Sequence, residues 1–252
     1  MIAADPTSVY ALRLGDDCLV LAQRLSEWSS NAPELEEDVA LTNIALDLLG
    51  QARTLLTYAG SLEGRGRDED ALAYLREERE FLNCQLVEQP NGDFAHTIAR
   101  QLLVSTYQLA QWQALRGSTD ATIAAVAAKA EKEAAYHRDH AVQWTLRLGD
   151  GTDESHARMQ AGLEAMWPYT GELFESDEVV LGLAERGVAV DPAALRAAWD
   201  GFIDSVLTAA TLSRPETSWS PSGGRRGIHT EAFGYLVAEM QHLHRAHPGA
   251  TW

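Results

Sequence analysis

The chain has 252 residues, 37 of them acidic and 20 basic, which gives a formal net charge of −17. This charge disfavours binding of nucleic acid or of an anionic membrane by the whole surface, so an anionic ligand would need a local basic patch. The length suffices for one large core, and we predict a single domain over residues 1–252, with a core bundle over about 7–150 and a helical extension over about 151–252.

Hydropathy and cysteine content indicate the compartment. No apolar run approaches the roughly 18 residues that a membrane span requires. The two cysteines, Cys18 and Cys84, lack CxxC spacing, and no signal sequence precedes them. We therefore expect a soluble protein of the reducing cytoplasm.

Apolar residues recur with the 3.6-residue helical period over most of the first 150 residues. The first helix is predicted to begin near Thr7 and Ser8, whose hydroxyls suit an N-cap, and to end before Pro33. Further helices are predicted over residues 34–58, 68–85 and 93–115, and from the turn at 117–118 to about 148. The segment 68–85 is highly charged, so we expect it to be a solvated flank.

The last third of the chain is predicted to add helices that close the bundle. These cover residues 154–169, 192–212 and 229–247. Three tryptophans lie in this part, Trp167, Trp199 and Trp219. They are core residues by default, although a tryptophan can also anchor a partner protein.

Ionisable residues interrupt the apolar stripes of the predicted bundle helices. Asp17 lies in the stripe of the first helix, Asp47 lies among leucines of the second, and Glu133 and His137 interrupt the stripe of the fourth. An unpaired carboxylate at such a position would cost much free energy. The pattern therefore indicates a shared polar cluster within the bundle.

Counting from the turns predicts which of these residues are level, because both helices of an antiparallel pair rise by roughly 1.5 Å per residue. A first turn centred on Ala32 places Asp17 and Asp47 at the same height. A second turn centred on Ser118 places Glu133 level with Leu103. Two hairpins of matched length with inward-facing acids are typical of a ferritin-like four-helix bundle, which is the predicted fold.

A di-iron centre in such a bundle needs a carboxylate from each of two helices and a Glu-x-x-His motif from each of the other two. Here Gly50 and Tyr136 occupy the histidine positions, and Leu103 occupies a carboxylate position. His137 and His140 are out of register with the motif. We therefore predict a degenerate metal site at Asp17, Asp47, Gly50, Leu103, Glu133 and Tyr136, with no metal and no catalytic residue in this chain. The acids would instead form a network of hydrogen bonds and ion pairs with neighbours such as Gln51, Arg53, Tyr136 or His137.

The glycine-rich loop over residues 220–227 carries two adjacent cations, Arg225 and Arg226. It is either a flexible, solvated linker or a contact for the phosphates of coenzyme A or for an acidic partner. In both cases we expect that replacing the two arginines leaves folding unchanged.

Several segments resemble the PaaC-type structural subunits of bacterial phenylacetyl-CoA epoxidase. These are LSEW (25–28), APELE (32–36), DLLGQAR (47–53), VEQPNGDFAHTIAR (87–100), RLGDGT (147–152), WPYTGELF (167–174), HTE (229–231) and EMQ (239–241). The resemblance covers essentially the whole chain. It implies a ferritin-like bundle that pairs with a homologous di-iron catalytic subunit, in a complex that also contains a small bridging subunit and a reductase. The implied cofactors lie outside this chain: the di-iron centre in the catalytic partner, and a flavin, an iron-sulfur cluster and NADPH at the reductase.

Three hypotheses follow. In the first, the chain is the structural subunit of a complex that acts on phenylacetyl-CoA, and it stabilises the catalytic partner and helps to bind the CoA ester. In the second, it is an independent di-metal oxidase that uses His137 in a shifted register. In the third, it is a non-catalytic binding or storage bundle.

Overall fold

The computed structural model describes residues 5–250, and over that range the chain is helical with no strand. This confirms the all-α class and is consistent with a ferritin-like helical bundle. No helix within the described range is both long enough and apolar enough to cross a membrane.

The α-helices are α1 (Pro6–Ser26), α2 (Leu35–Glu63), α3 (Glu69–Tyr74), α4 (Phe94–Leu115), α5 (Ala121–Gly149), α6 (Asp153–Met166), α7 (Glu178–Glu185), α8 (Arg196–Ala209) and α9 (Glu231–Ala246). Short 3-10 helices cover Glu78–Glu80, Trp167–Phe174, Pro192–Leu195 and Gly224–Arg226. The bounds of α4, α5 and α9 agree with the sequence predictions within a few residues, whereas α7 was not predicted.

The chain divides into two compact units. One, the terminal unit, contains the described residues up to Pro90 and those from Gly223 onward; the other, the middle unit, is Asn91–Ser222. The single domain expected from the length stays a prediction.

The terminal unit is built on the antiparallel pair α1 and α2. The carboxylate of Asp5 accepts the Thr7 amide at 2.8 Å, so Asp5 caps α1. The expectation that Thr7 or Ser8 is the cap is wrong. Ser8 lies inside the helix and donates its hydroxyl to the Ala59 carbonyl at 2.9 Å.

The register of this pair differs from the predicted one. Ser8 meets Ala59, and the thiol of Cys18 lies 3.4 Å from the side-chain oxygen of Gln51. Asp17 is therefore opposite the turn of α2 that contains Gln51, about one helical turn from Asp47. The prediction that the two carboxylates are level is wrong, because tight turns continue the direction of α1 as far as Asn31 and move the reversal point beyond Ala32.

The segment after α3 also differs from its prediction. The helix expected over residues 68–85 ends at Tyr74, and the chain then runs through one 3-10 turn into an irregular stretch. Phe81, Asn83, Leu86 and Glu88 are fully buried, so this stretch is not a solvated flank. Its irregular backbone needs hydrogen-bond partners other than a helix, because buried amides and carbonyls are almost always paired.

The middle unit is built on the antiparallel pair α4 and α5. The rings of Phe94 and Trp144 meet edge to face with centroids 5.0 Å apart, which agrees with a turn centred near Ser118. α6 packs on α4 at Gly162, where an added Cβ would lie 2.9 Å from the Cα of His96.

The three tryptophans of the last third have different environments. Trp167 and Trp199 are buried, with ring centroids 5.8 Å apart. Trp219 is largely exposed and meets the ring of Tyr169 edge to face. The default core assignment therefore holds for the first two and is wrong for Trp219.

Candidate functional site

The predicted metal-site positions have very different environments. Asp17 and Leu103 are buried, Asp47 and Gly50 are half-buried, and Tyr136 is half-exposed at the surface of α5. Glu133 is partly buried and pairs with Lys129 one turn earlier, at 3.1 Å.

The side chains at these positions do not fit a di-iron centre. Gly50 and Leu103 have no ligating side chain, and the main-chain carbonyl of Leu103 accepts the indole NH of Trp199 at 3.0 Å. Di-iron centres of this fold take four carboxylates and two imidazoles. In the part of the chain that the structure describes, no three His, Cys, Asp or Glu side chains are grouped so that they could hold a metal ion.

Asp17 takes part in an ion pair that the sequence did not reveal. Its two carboxylate oxygens accept the two terminal nitrogens of Arg225, at 2.9 and 2.7 Å. The Cys84 amide donates to the same carboxylate at 2.8 Å. Asp17 therefore ties α1 both to the loop over residues 220–227 and to the irregular stretch after α3.

Arg225 and its loop are consequently ordered by contacts. The Arg225 guanidinium also donates to the Leu82 carbonyl at 3.1 Å, and its side chain is mostly buried. An added Cβ at Gly224 would lie 2.2 Å from the Asn83 carbonyl oxygen, and one at Gly227 would lie 2.1 Å from that of Arg79. The glycines thus allow two backbones to touch, and the interpretation of the loop as a flexible, solvated linker is wrong.

Asp16, the residue before Asp17, holds the same stretch from the other side. Its carboxylate forms a two-pronged pair with Arg76, one contact being 2.9 Å, and accepts the Leu82 amide at 2.8 Å. The Arg76 guanidinium also lies over the Phe81 ring, 4.1 Å from its centroid. The side chains of Asp16 and Arg76 are 0% and 1% exposed.

Glu88 and His229 form a third buried pair, with the imidazole Nδ1 2.8 Å from the Glu88 carboxylate. The other ring nitrogen, Nε2, lies 3.0 Å from the Phe81 carbonyl oxygen. Glu88 further accepts the Asn83 amide group at 2.8 Å and the Thr230 main-chain NH at 2.6 Å. Both ring nitrogens of His229 face acceptors, so the geometry favours the doubly protonated, charged imidazole.

The electrostatics of this pair agree with its geometry. Burial on its own lowers the pKa of His229, since it penalises the charged ring. The hydrogen bond and charge of Glu88, the Phe81 carbonyl and the charge of Glu78 outweigh that effect and raise the pKa above its ordinary value of 6.5.

We call these six side chains the buried ion cluster: Asp16, Asp17, Arg76, Glu88, Arg225 and His229. They bind one another and the backbone of residues 81–88, and they fix an irregular segment in place. Such a cluster positions backbone, and its charged groups are occupied by structural partners.

Sequence reasoning found Asp17 and Arg225 separately and did not connect them. It missed Asp16, Arg76, Glu88 and His229 as site residues. Glu88 and His229 lie in the segments 87–100 and 229–231 that carry the family resemblance, and this was the only signal that could have pointed to them.

Comparisons with known proteins agree with the resemblance seen in the sequence. The family model described as "Phenylacetic acid catabolic protein" matches residues 3–252. A relative that is 51% identical over 245 residues is the 1,2-phenylacetyl-CoA epoxidase component of Escherichia coli (strain K12) that is designated by the letter C. The match covers 97% of this chain and 98% of that relative.

Proposed function

The chain belongs to the phenylacetic acid catabolic protein family, and from that premise we propose that it is the structural, non-catalytic subunit of a phenylacetyl-CoA epoxidase. Its partner is a homologous subunit that holds the di-iron centre. The small bridging subunit and the reductase, with its flavin, iron-sulfur cluster and NADPH, complete the assembly.

The donor set carries this proposal. The chain has glycine at position 50, leucine at 103 and tyrosine at 136, where a di-iron bundle needs histidine and carboxylate ligands. The remaining acid of α1, Asp17, binds Arg225 and the Cys84 amide. The same substitutions argue against the independent di-metal oxidase.

What the chain's own residues contribute is a fixed shape. The buried ion cluster holds residues 81–88 and the loop at Arg225 against α1, and it supplies no group that could take part in oxygen chemistry. A rigid scaffold of this kind can fix the position of a catalytic partner.

Co-expression with the homologous di-iron subunit tests the proposal. We expect the two chains to purify as a stable complex that, with the bridging subunit and reductase, epoxidises phenylacetyl-CoA. The chain purified alone should carry far less than one iron per molecule by elemental analysis and should be inactive. Two irons per chain, or no complex with the di-iron subunit, would overturn the proposal.

A contact with coenzyme A or with an acidic partner through the 220–227 loop is now narrowed to Arg226. Arg225 is committed to Asp17, whereas Arg226 is exposed on the 3-10 turn. We propose that Arg226 makes this contact as part of the complex's function.

Arg226→Ala is therefore expected to raise the apparent Michaelis constant for phenylacetyl-CoA if it binds the ester, or to loosen assembly if it docks a partner. The thermal midpoint of the isolated chain should not change, because exposed charges contribute roughly 0 to 1 kcal/mol. Arg186→Ala, at an exposed arginine in the middle unit, is the control. If steady-state kinetics and assembly affinity are both unaffected by Arg226→Ala, this role is ruled out.

A further inference from the structure

An apolar stripe lies on the exposed face of α2 in the terminal unit. Leu35, Val39, Leu46 and Leu49 recur at i, i+4, i+11 and i+14, and they are between 44% and 74% exposed. The stripe extends for about 21 Å along the helix at 1.5 Å per residue. Single exposed leucines are ordinary, but a contiguous row of large apolar side chains marks an interaction surface.

The C-terminal half of this α2 stripe borders a groove of about 250 Å³. Leu46 and Leu49 form one wall, Leu19 and Ala22 of α1 form the floor side, and Met240 of α9 lies opposite. The groove has room for one large apolar side chain of a docking segment, which is the anchoring arrangement that helix recognition uses.

The charge along the stripe is negative. Glu36 is exposed and Asp47 is half-buried, and both lie on the same edge of α2 because they are separated by three helical turns. Arg53 continues the line of the stripe, but its charge is paired with Glu69 at 3.1 Å. An apolar row with an acidic edge is complementary to a helix that carries apolar anchors beside lysine or arginine.

A second copy of the chain fits this surface poorly. Two copies, each with a net charge of −17, repel each other, and pairing the stripe with itself would bring further acids into an already acidic contact. From the stripe, the groove and the acidic edge, we infer that α2 docks an amphipathic helix of the partner catalytic subunit, with apolar side chains against Leu46 and Leu49 and basic side chains along Glu36 and Asp47. This inference rests on the proposed function, since it names the face used for that partnership.

The test compares Leu46→Glu with the matched control Leu181→Glu, at an exposed leucine of α7 in the middle unit. Binding of each purified variant to the di-iron subunit is measured by calorimetry. We expect Leu46→Glu to weaken binding by at least about tenfold, the scale of a central interface anchor. Leu181→Glu should stay close to the wild-type affinity. Circular dichroism and thermal unfolding establish that both variants are folded.

A charge reversal tests the edge separately. Asp47→Lys should weaken binding and reduce its dependence on salt, whereas Glu185→Lys on α7 should change neither. If the wild-type chain binds and Leu46→Glu binds equally well, this inference is wrong and the proposed function stands. If the wild-type chain does not bind the di-iron subunit, the proposed function fails. A wild-type dimer in sedimentation that Leu46→Glu dissociates would assign the stripe to a second copy and overturn the inference.

Discussion

Replacing Arg76 by methionine is expected to destabilise the protein by about 3–5 kcal/mol, the usual cost of removing one partner of a buried ion pair. The substitution keeps most of the apolar volume and removes the charge. It leaves the fully buried carboxylate of Asp16 with the Leu82 amide as its remaining contact among those described above. It also removes the cation that lies over the Phe81 ring. The free energy of unfolding in urea measures the effect.

Arg53→Met is the matched control for this prediction. Arg53 also pairs with a carboxylate, that of Glu69, but its side chain is 75% exposed. Exposed pairs contribute roughly 0 to 1 kcal/mol, so the control should unfold close to the wild-type midpoint. Equal losses for the two variants would mean that burial of the Arg76 pair has no special weight.

The stability of the protein is expected to fall as the pH rises through the raised pKa of His229. The pKa in the folded chain lies above the ordinary value of 6.5. Below 6.5 the ring is charged in both states, so the full contribution of the Glu88 pair is present. Above that pH the unfolded chain loses its proton first, and the contribution is lost progressively until the pH passes the folded pKa. Thermal unfolding between about pH 6 and about pH 9 measures this loss.

Two variants separate the His229 effect from other titrations. His229→Gln should be less stable than the wild type near the acidic end of that range, and the difference should shrink as the pH rises. Glu88→Gln should lower the pKa of His229, measured by NMR of the ring protons, because burial then acts without the opposing carboxylate. If the stability difference between wild type and His229→Gln is the same at both ends of the pH range, His229 is not charged in the folded protein.

Local patterns were sufficient to predict the long helices. α2, α4 and α5 each show a 3.6-residue apolar period over 20 residues or more, and helical hydrogen bonds join residues that are four apart. The short segment between Leu75 and Asp93 was mispredicted because its polar groups are satisfied from elsewhere. The carboxylates of Asp16 and Asp17 accept its amides, and those acids are more than 60 residues away in the chain.

The candidate site was predicted only as separate residues. Asp17 was identified because a carboxylate in an apolar stripe is conspicuous, and Arg225 because it is a cation in a glycine-rich loop. Their pairing joins residues 208 positions apart, and no periodicity extends over that distance. The sequence also placed Asp47 in the core. In the structure the register of α1 and α2 leaves it half-buried beside the α2 stripe.

The sequence by itself determined the all-α class, the ends of the longest helices, the family and the loss of di-iron ligands, because each of these depends on residue identity or on spacing within one helix. Only the tertiary structure decided where the buried charges find their partners. A buried carboxylate must be paired to be tolerated, but any of several arginines could have satisfied Asp16 or Asp17. The choice of Arg76 and Arg225 was made by the packing of α3 and of the 220–227 loop around α1.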